Sequence, residues 1–262
     1  MRLDKFLAES SVGTRKNVRT YIKDGAVKVN GKVITEPAIE IKEDIDIIEY
    51  LDKVVTYRGK VYYMFHKPGG CITARKDETN KTVFDFFDEV NMNGIFHVGR
   101  LDKDTEGLLL FTNDGEFNHQ LMCPEKHVEK KYFFIALGSL DEEDIKKLEN
   151  GISIGQDEEI TKPAKIEVIQ SGMYEDLEQE LDIRKFYNIK SNFYQQPVVS
   201  GYLTISEGRK HQVKRMLKAV GCYVIYLKRI SIGELTLDKA LKKGQHRMLS
   251  EDEIQKLLGK CM

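Results

Sequence analysis

Cysteine is scarce in this sequence and long apolar runs are missing, and each shortage excludes something. The four cysteines, Cys71, Cys123, Cys222 and Cys261, are far apart and form no Cys-x-x-Cys pair. They suggest neither a disulfide framework nor a zinc site. No segment approaches membrane-spanning length, and Met1-Arg2-Leu3-Asp4-Lys5 lacks the apolar run of a signal peptide. A cytoplasmic protein with no membrane partner is expected. Net charge is low too, at −1, yet the charges are strongly segregated. Residues 1–34 hold eight Lys/Arg against three Asp/Glu, and residues 200–230 hold seven against one. Residues 35–52 and 141–182 carry the opposite excess, seven acids to one base and fourteen to four. Two separate basic segments fit a protein whose nucleic-acid contacts are local, because phosphate binding depends on the patch and not on the total. At 262 residues and 41% hydrophobic, the chain can build one medium domain and a small one.

The most informative stretch is residues 97–115, His-Val-Gly-Arg-Leu-Asp-Lys-Asp-Thr-Glu-Gly-Leu-Leu-Leu-Phe-Thr-Asn-Asp-Gly. It sets Asp102 in a loop just before an apolar strand, Leu108 to Phe111. A carboxylate there is held by a rigid sheet yet reachable from outside, which suits a nucleophile or general base. Asn113-Asp114-Gly115 then turns the chain out of the strand, and a helix follows over Glu116 to Leu121. The run Gly-Arg-Leu-Asp-x-x-Thr-x-Gly-Leu-Leu-Leu-x-Thr-Asn-Asp-Gly resembles the signature of the RsuA/RluB family of ribosomal RNA pseudouridine synthases. The resemblance makes Asp102 the catalytic residue and Arg100 its neighbour on the RNA.

Residues 1–58 read as a small helical unit. Leu3, Phe6 and Leu7 share one helix face, and Val18, Tyr21 and Ile22 share another behind the cap Thr14. Val27 and Val29 begin a strand, and Asn30-Gly31 is a two-residue turn into Val33-Ile34. Arg15, Lys16, Arg19 and Lys23 lie off the apolar stripe, where cations bind phosphates without reading sequence. Arg2-Leu3-Asp4-Lys5-Phe6-Leu7, the Thr14-Arg15 start and Asp24-Gly25-x-Val27-x-Val29-Asn30-Gly31 together resemble the S-four-type RNA-binding domain. The acidic run from Glu36 to Asp52 should hold its last strand and a linker.

From residue 59 to 262 strands alternate with turns and helices, in a second domain. Lys67-Pro68-x-Gly70 follows the first strand, and the resemblance places Lys67 near the RNA. A helix is expected around Val83 to Phe87. Lys130-x-Tyr132 opens a strong strand and matches the family's second motif, making Tyr132 the active-site aromatic. In Gly208-Arg209-Lys210-His211-Gln212-Val213-Lys214-Arg215-Met216, the residues Val213, Met216, Leu217 and Val220 form an apolar helix face, ended by Gly221. The resemblance assigns Arg209, His211, Gln212 and Arg215 to RNA, Lys214 to the catalytic carboxylate, and Leu227 to the space under the target base. It also favours the small-subunit branch, since large-subunit relatives tend to carry Asn-Arg-x-Val-Arg-Arg here. Thr161-Lys162-Pro163-Ala164 is a further shared stretch. Residues 170–200 depart from the family as a polar connector between two strands, either an extra hairpin or a loop.

The implied fold is α+β: the small helical RNA-binding domain, then a mainly antiparallel mixed sheet with helices around it. The implied reaction breaks a C–N glycosidic bond, turns the uracil and rejoins it through C5. A carboxylate shielded by the flipped nucleotide needs a fixed cation to stay ionised, and Tyr132 offers a flat face and a hydroxyl. No redox or group-transfer step occurs, so neither an organic cofactor nor a metal is expected. The partner is ribosomal RNA or an assembling subunit, met by a monomer. Three alternatives stand beside this reading. One is an Asp102-x-Asp104 metal enzyme, another a non-catalytic ribosome-assembly protein, and the third a large-subunit enzyme of the same family.

Overall fold

The computed structural model describes residues 1–10, 12–57, 59–87, 92–156, 158–181 and 195–259. Leu3, Phe6 and Leu7 of α1 (Leu3–Glu9) and Val18 and Ile22 of α2 (Arg15–Lys23) are buried together. Thr14 caps α2, its Oγ1 accepting from the Asn17 amide at 3.2 Å. Strand β1 (Val27–Val29) turns through Asn30 and Gly31, both at positive φ, into β2 (Lys32–Val33). The acidic run differs from expectation. Its end opens a second hairpin, β3 (Ile48–Tyr50) and β4 (Lys53–Val54), turning at Leu51 and Asp52 with positive φ. Leucine is not a turn residue, so the sequence did not mark this hairpin. The helix pair thus packs on a four-stranded sheet ordered β2-β1-β3-β4.

The body runs β5 (Tyr62–Lys67), β6 (Phe96–Val98), β7 (Glu106–Thr112), α3 (Gly115–Met122), β8 (Lys130–Leu137), α4 (Glu142–Asn150), β9 (Lys165–Met173), α5 (Tyr174–Leu177), β10 (Pro197–Ile205), α6 (Gln212–Ala219), β11 (Tyr223–Ile232), β12 (Leu235–Thr236), β13 (His246–Met248) and α7 (Glu251–Leu258). Its sheet is ordered β13-β5-β7-β11-β8-β10-β9, with β6 added to β7 and β12 to β11. Among the described residues every strand pairing in this sheet but one is antiparallel. The exception, β7 with β11, lasts two pairs: Glu106 beside Lys228 and Gly107 beside Arg229. A side chain at Gly107 would collide with the Arg229 backbone, which explains the glycine.

Side chains alternate across the strands. Leu109 and Phe111 of β7, Tyr132, Phe134 and Ala136 of β8, and Leu227 of β11 enter the larger core, with Val213, Met216 and Leu217 of α6. Leu108 and Leu110 enter the smaller one, with Phe117 and Leu121 of α3 and Leu257 of α7. The helix expected near Val83 is a single 3-10 turn, Val83–Phe86, closed by Thr82 and Asp85. Its aromatics and the following Phe87 all pack into the larger core, Phe84 and Phe87 on Phe111, and Phe86 and Phe87 on Phe65. In the 170–200 connector, β9 and β10 extend until Met173 pairs with Pro197. Helix α5 follows β9, and residues 182–194 of that connector lie outside the described residues.

Asn113 and Asp114 do more than turn the chain. Asn113 Oδ1 accepts from the Val61 amide (2.9 Å), and its Nδ2 donates to the Glu9 and Gly59 carbonyls (3.1 and 2.9 Å). Asp114 caps α3 and also takes the Lys60 ammonium (2.7 Å) and the Tyr62 hydroxyl (2.9 Å). The end of β7 therefore ties the linker and the N-terminal unit to the body.

Candidate active site

Asp102 sits in the loop between β6 and β7, and buried groups hold that loop from beneath. The Lys67 ammonium, fully buried, donates to the carbonyls of Asp102 (2.9 Å), Thr105 (2.9 Å), Pro68 (3.1 Å) and Lys103 (3.3 Å). Burial pushes its pKa below the ordinary lysine range, against the pull of nearby Cys71, Asp104 and Asp102. Thr73 brackets Leu101, its Oγ1 donating to the carbonyl and accepting from the amide. Gly70 donates to the Lys103 carbonyl at 2.8 Å. The loop is rigid although it is not regular structure.

The start of helix α6 supplies the basic side chains above Asp102. His211 precedes it in the left-handed region, φ 53°, and its Nε2 lies 3.6 Å from Asp102 Oδ1. One turn on, Lys214 Nζ lies 3.4 Å from Asp102 Oδ2 and 2.5 Å from Asp104 Oδ1. Lys214 therefore bridges two carboxylates, where the sequence assigned it only one. Burial raises the Asp104 pKa, but the Lys214 ammonium outweighs this and holds it below the ordinary aspartate range. The ammonium lies between the two carboxylates that the Asp-x-Asp metal reading invokes. Among the described residues no group of three or more His, Cys, Asp or Glu could hold a metal ion. Tyr132 and Leu227 lie in the same buried cluster as Leu101 and Val213, which precede Asp102 and Lys214 in the chain. Arg100 is exposed and enters no ion pair among the described residues.

Four assignments to RNA need correction. Lys67 cannot reach RNA, because it is buried under the loop. Gln212 is buried, its Oε1 accepting from the Arg209 amide (2.9 Å) and its Nε2 donating to Glu207 (2.7 Å). The Arg209 guanidinium donates to Glu207 and to the carbonyls of Glu159 and Ile160. Arg215 donates to the carbonyls of Ile154 and Lys210 and to Glu158 (2.6 Å). These two arginines pin the 152–160 segment onto α6, and the shared Thr161 stretch belongs to the same clamp, with Lys162 N on Glu207 Oε1 (3.0 Å). On α2, Arg15 and Lys16 are exposed, while Arg19 is half exposed and bonded to the buried Asp4 at 2.8 Å. Asp104 and Glu207 were missed. Only the spacing of Asp104 from Asp102 hinted at the first, and Glu207 left no signal beyond its place before Gly208.

Residues 61–219 match the family model described as RNA pseudouridylate synthase, and residues 1–45 match the S4 domain. This chain belongs to the pseudouridine synthase family. It is 42% identical to the uncharacterized RNA pseudouridine synthase YtzG of Bacillus subtilis, over 98% of both chains. It is 38% identical to ribosomal large subunit pseudouridine synthase B of the same organism, over 98% of this chain and 95% of the relative. Identity to ribosomal small subunit pseudouridine synthase A of Haemophilus influenzae is 36%, over 98% of this chain and all of the relative. The protein is thus an RNA uridine isomerase joined to an RNA-binding domain, and its fold is α+β as the sequence implied. Among the described residues no helix is long and apolar enough to cross a membrane.

For a pseudouridine synthase with this geometry, Lys214→Met should cost far more activity than Lys218→Met. The first change takes the ammonium away from Asp102, and losing the partner of a carboxylate that the flipped nucleotide shields costs about 3 kcal/mol or more, roughly a hundredfold in rate. Lys218 is exposed, where one charge contributes about 1 kcal/mol or less. Equal losses in single-turnover assays of the two variants would refute the bridge.

Proposed function

We propose that this protein converts one uridine of small-subunit ribosomal RNA to pseudouridine, with Asp102 as the catalytic carboxylate. Lys214 and His211 set its electrostatics, Tyr132 and Leu227 line the place of the base, and Arg100 faces the RNA. It acts as a monomer in the cytoplasm, on ribosomal RNA or an assembling subunit. Residues 1–58 form the RNA-binding domain, with Arg15, Lys16 and part of Arg19 turned to phosphates, and residues 59–262 form the catalytic domain. The observation that carries this reading is the convergence of His211 and Lys214 on Asp102, at 3.6 and 3.4 Å. A protein that only bound RNA would not need a lysine and a histidine aimed at one loop carboxylate.

Overall identity does not choose the subunit, since the large-subunit relative is as similar as the small-subunit one. The local run Gly208-Arg209-x-His211-Gln212 favours the small subunit, because it resembles the small-subunit branch and not the Asn-Arg-x-Val-Arg-Arg of large-subunit relatives. Mapping pseudouridines in ribosomal RNA from a strain without this protein tests the proposal. One small-subunit position should lose its modification and regain it with the wild-type chain. Loss at a large-subunit position would move the target, and loss at none would overturn the proposal.

A further inference from the structure

Asp102 and Asp104 both face the Lys214 ammonium, but only one of them is hydrogen-bonded to it. Nζ donates to Asp104 Oδ1 at 2.5 Å and stands 3.4 Å from Asp102 Oδ2, an ion-pair distance too long for a good hydrogen bond. His211 Nε2 is likewise 3.6 Å from the other Asp102 oxygen. Among the described residues the Asp102 carboxylate therefore accepts no hydrogen bond, although two basic side chains stand over it.

The backbone sets this up. The Thr105 amide donates to the Asp102 carbonyl at 3.2 Å and closes a turn from Asp102 to Thr105. The buried Lys67 ammonium holds the carbonyls of Asp102, Lys103 and Thr105 beneath it. This turn brings the side chains of its first and third residues to one ammonium, while Lys103, the second, is drawn off to Asn80 Oδ1 at 2.7 Å. Helix α6 is fixed as well, since Arg209 and Arg215 pin it to the 152–160 segment. What remains adjustable is the lysine side chain. Asp102 is 27% exposed and Asp104 75%. Screening by water is weaker at Asp102, so an ammonium placed by charge alone would bond there. It bonds to Asp104 instead.

That choice has a chemical use. A carboxylate that takes a direct bond from an ammonium has a lone pair engaged, which blunts it as a nucleophile or base. At 3.4 Å the ammonium still balances the charge of Asp102 under a covering nucleotide and leaves the oxygen free. We propose that Asp104 is a positioning residue, which anchors the Lys214 ammonium just clear of Asp102 so that the catalytic carboxylate is charge-balanced but not hydrogen-bonded. The inference rests on the reading of Asp102 as that carboxylate.

The test uses full-length protein and the RNA that the mapping experiment identifies, in single turnover at saturating RNA across pH. Asp104→Asn lets Lys214 close on Asp102, and the plateau rate should fall about fivefold. The acid limb of the pH–rate profile should move to lower pH. Activity needs the charged carboxylate, and a bonded ammonium favours that form, so protonation sets in later as pH falls. Loss of the Asp104 charge acts in the same direction while Lys67 and His211 stay in place, so the limb alone does not single out Lys214. A double variant does. In a Lys214→Met background Asp104→Asn should cost nothing further, because no ammonium is left to misplace. Asp104→Glu, which keeps an anchor, should retain more of the rate than Asp104→Asn. An Asp104→Asn rate equal to or above wild type, an acid limb that stays in place, or the same loss in both backgrounds overturns the proposal. Activity in Asp102→Asn would instead overturn the reading of Asp102, so the two failures are distinguishable.

Discussion

Asp102→Asn is expected to abolish pseudouridine formation while leaving the fold and the RNA affinity in place. The amide matches the carboxylate in size, and none of the contacts that hold the loop uses the Asp102 side chain. Lys67 takes the main-chain carbonyl, and Thr105 N donates to that same carbonyl at 3.2 Å. What disappears is the charge and the nucleophilic oxygen, and losing an essential nucleophile or base costs about four orders of magnitude or more in rate. Asp104→Asn is the control. Its side chain is 75% exposed although it lies nearer Lys214, so it should cost about tenfold or less. Proximity to the lysine and catalytic duty then separate, since a single-turnover assay ranks the variants opposite to their Lys214 distances. Near-normal turnover by Asp102→Asn would sink the assignment, and a larger loss for Asp104→Asn would transfer it to Asp104.

The sequence made the elements legible wherever apolar spacing or a turn residue was present. Thr14, Asn30-Gly31, Gly221 and the run from Leu108 to Phe111 each work through local sterics or burial, and each has the expected structure. Leu51-Asp52 was illegible because the leucine at the first positive-φ position has no local preference for the turn that joins β3 to β4. The site was legible as a set of chain segments but not as a set of directions. Polar residues inside a signature look alike in sequence whether they point to a substrate or to a carbonyl. Gln212 and Lys214 are two apart on α6, and only the first turns inward, to Glu207. The resemblance assigned Arg209 and Arg215 to RNA, yet loop carbonyls at residues 154, 159 and 160 hold them.

Lys67→Met should remove activity together with stability, and the combination distinguishes support of the loop from contact with RNA. The ammonium is the shared donor for four carbonyls, three of them in or beside the Asp102 loop. Methionine fills similar space but donates nothing, so several of those carbonyls would be buried without a partner. Each such orphan costs about 1–3 kcal/mol, and with partial relaxation the total should be about 3–5 kcal/mol. That is a large share of the stability of an ordinary domain, about 5–15 kcal/mol, so a lower melting temperature is expected. Below the melting transition the loop should be looser than the rest of the body. Amide hydrogen exchange at Thr105 and at Gly70, which donates to the Lys103 carbonyl, should speed up more than exchange in β8. Activity should fall even where the chain is folded, because Asp102 would no longer be held against Lys214 and His211. A lysine on the RNA would behave otherwise, with unchanged melting, unchanged exchange and weaker RNA binding. That second pattern would return Lys67 to the RNA surface and contradict its burial.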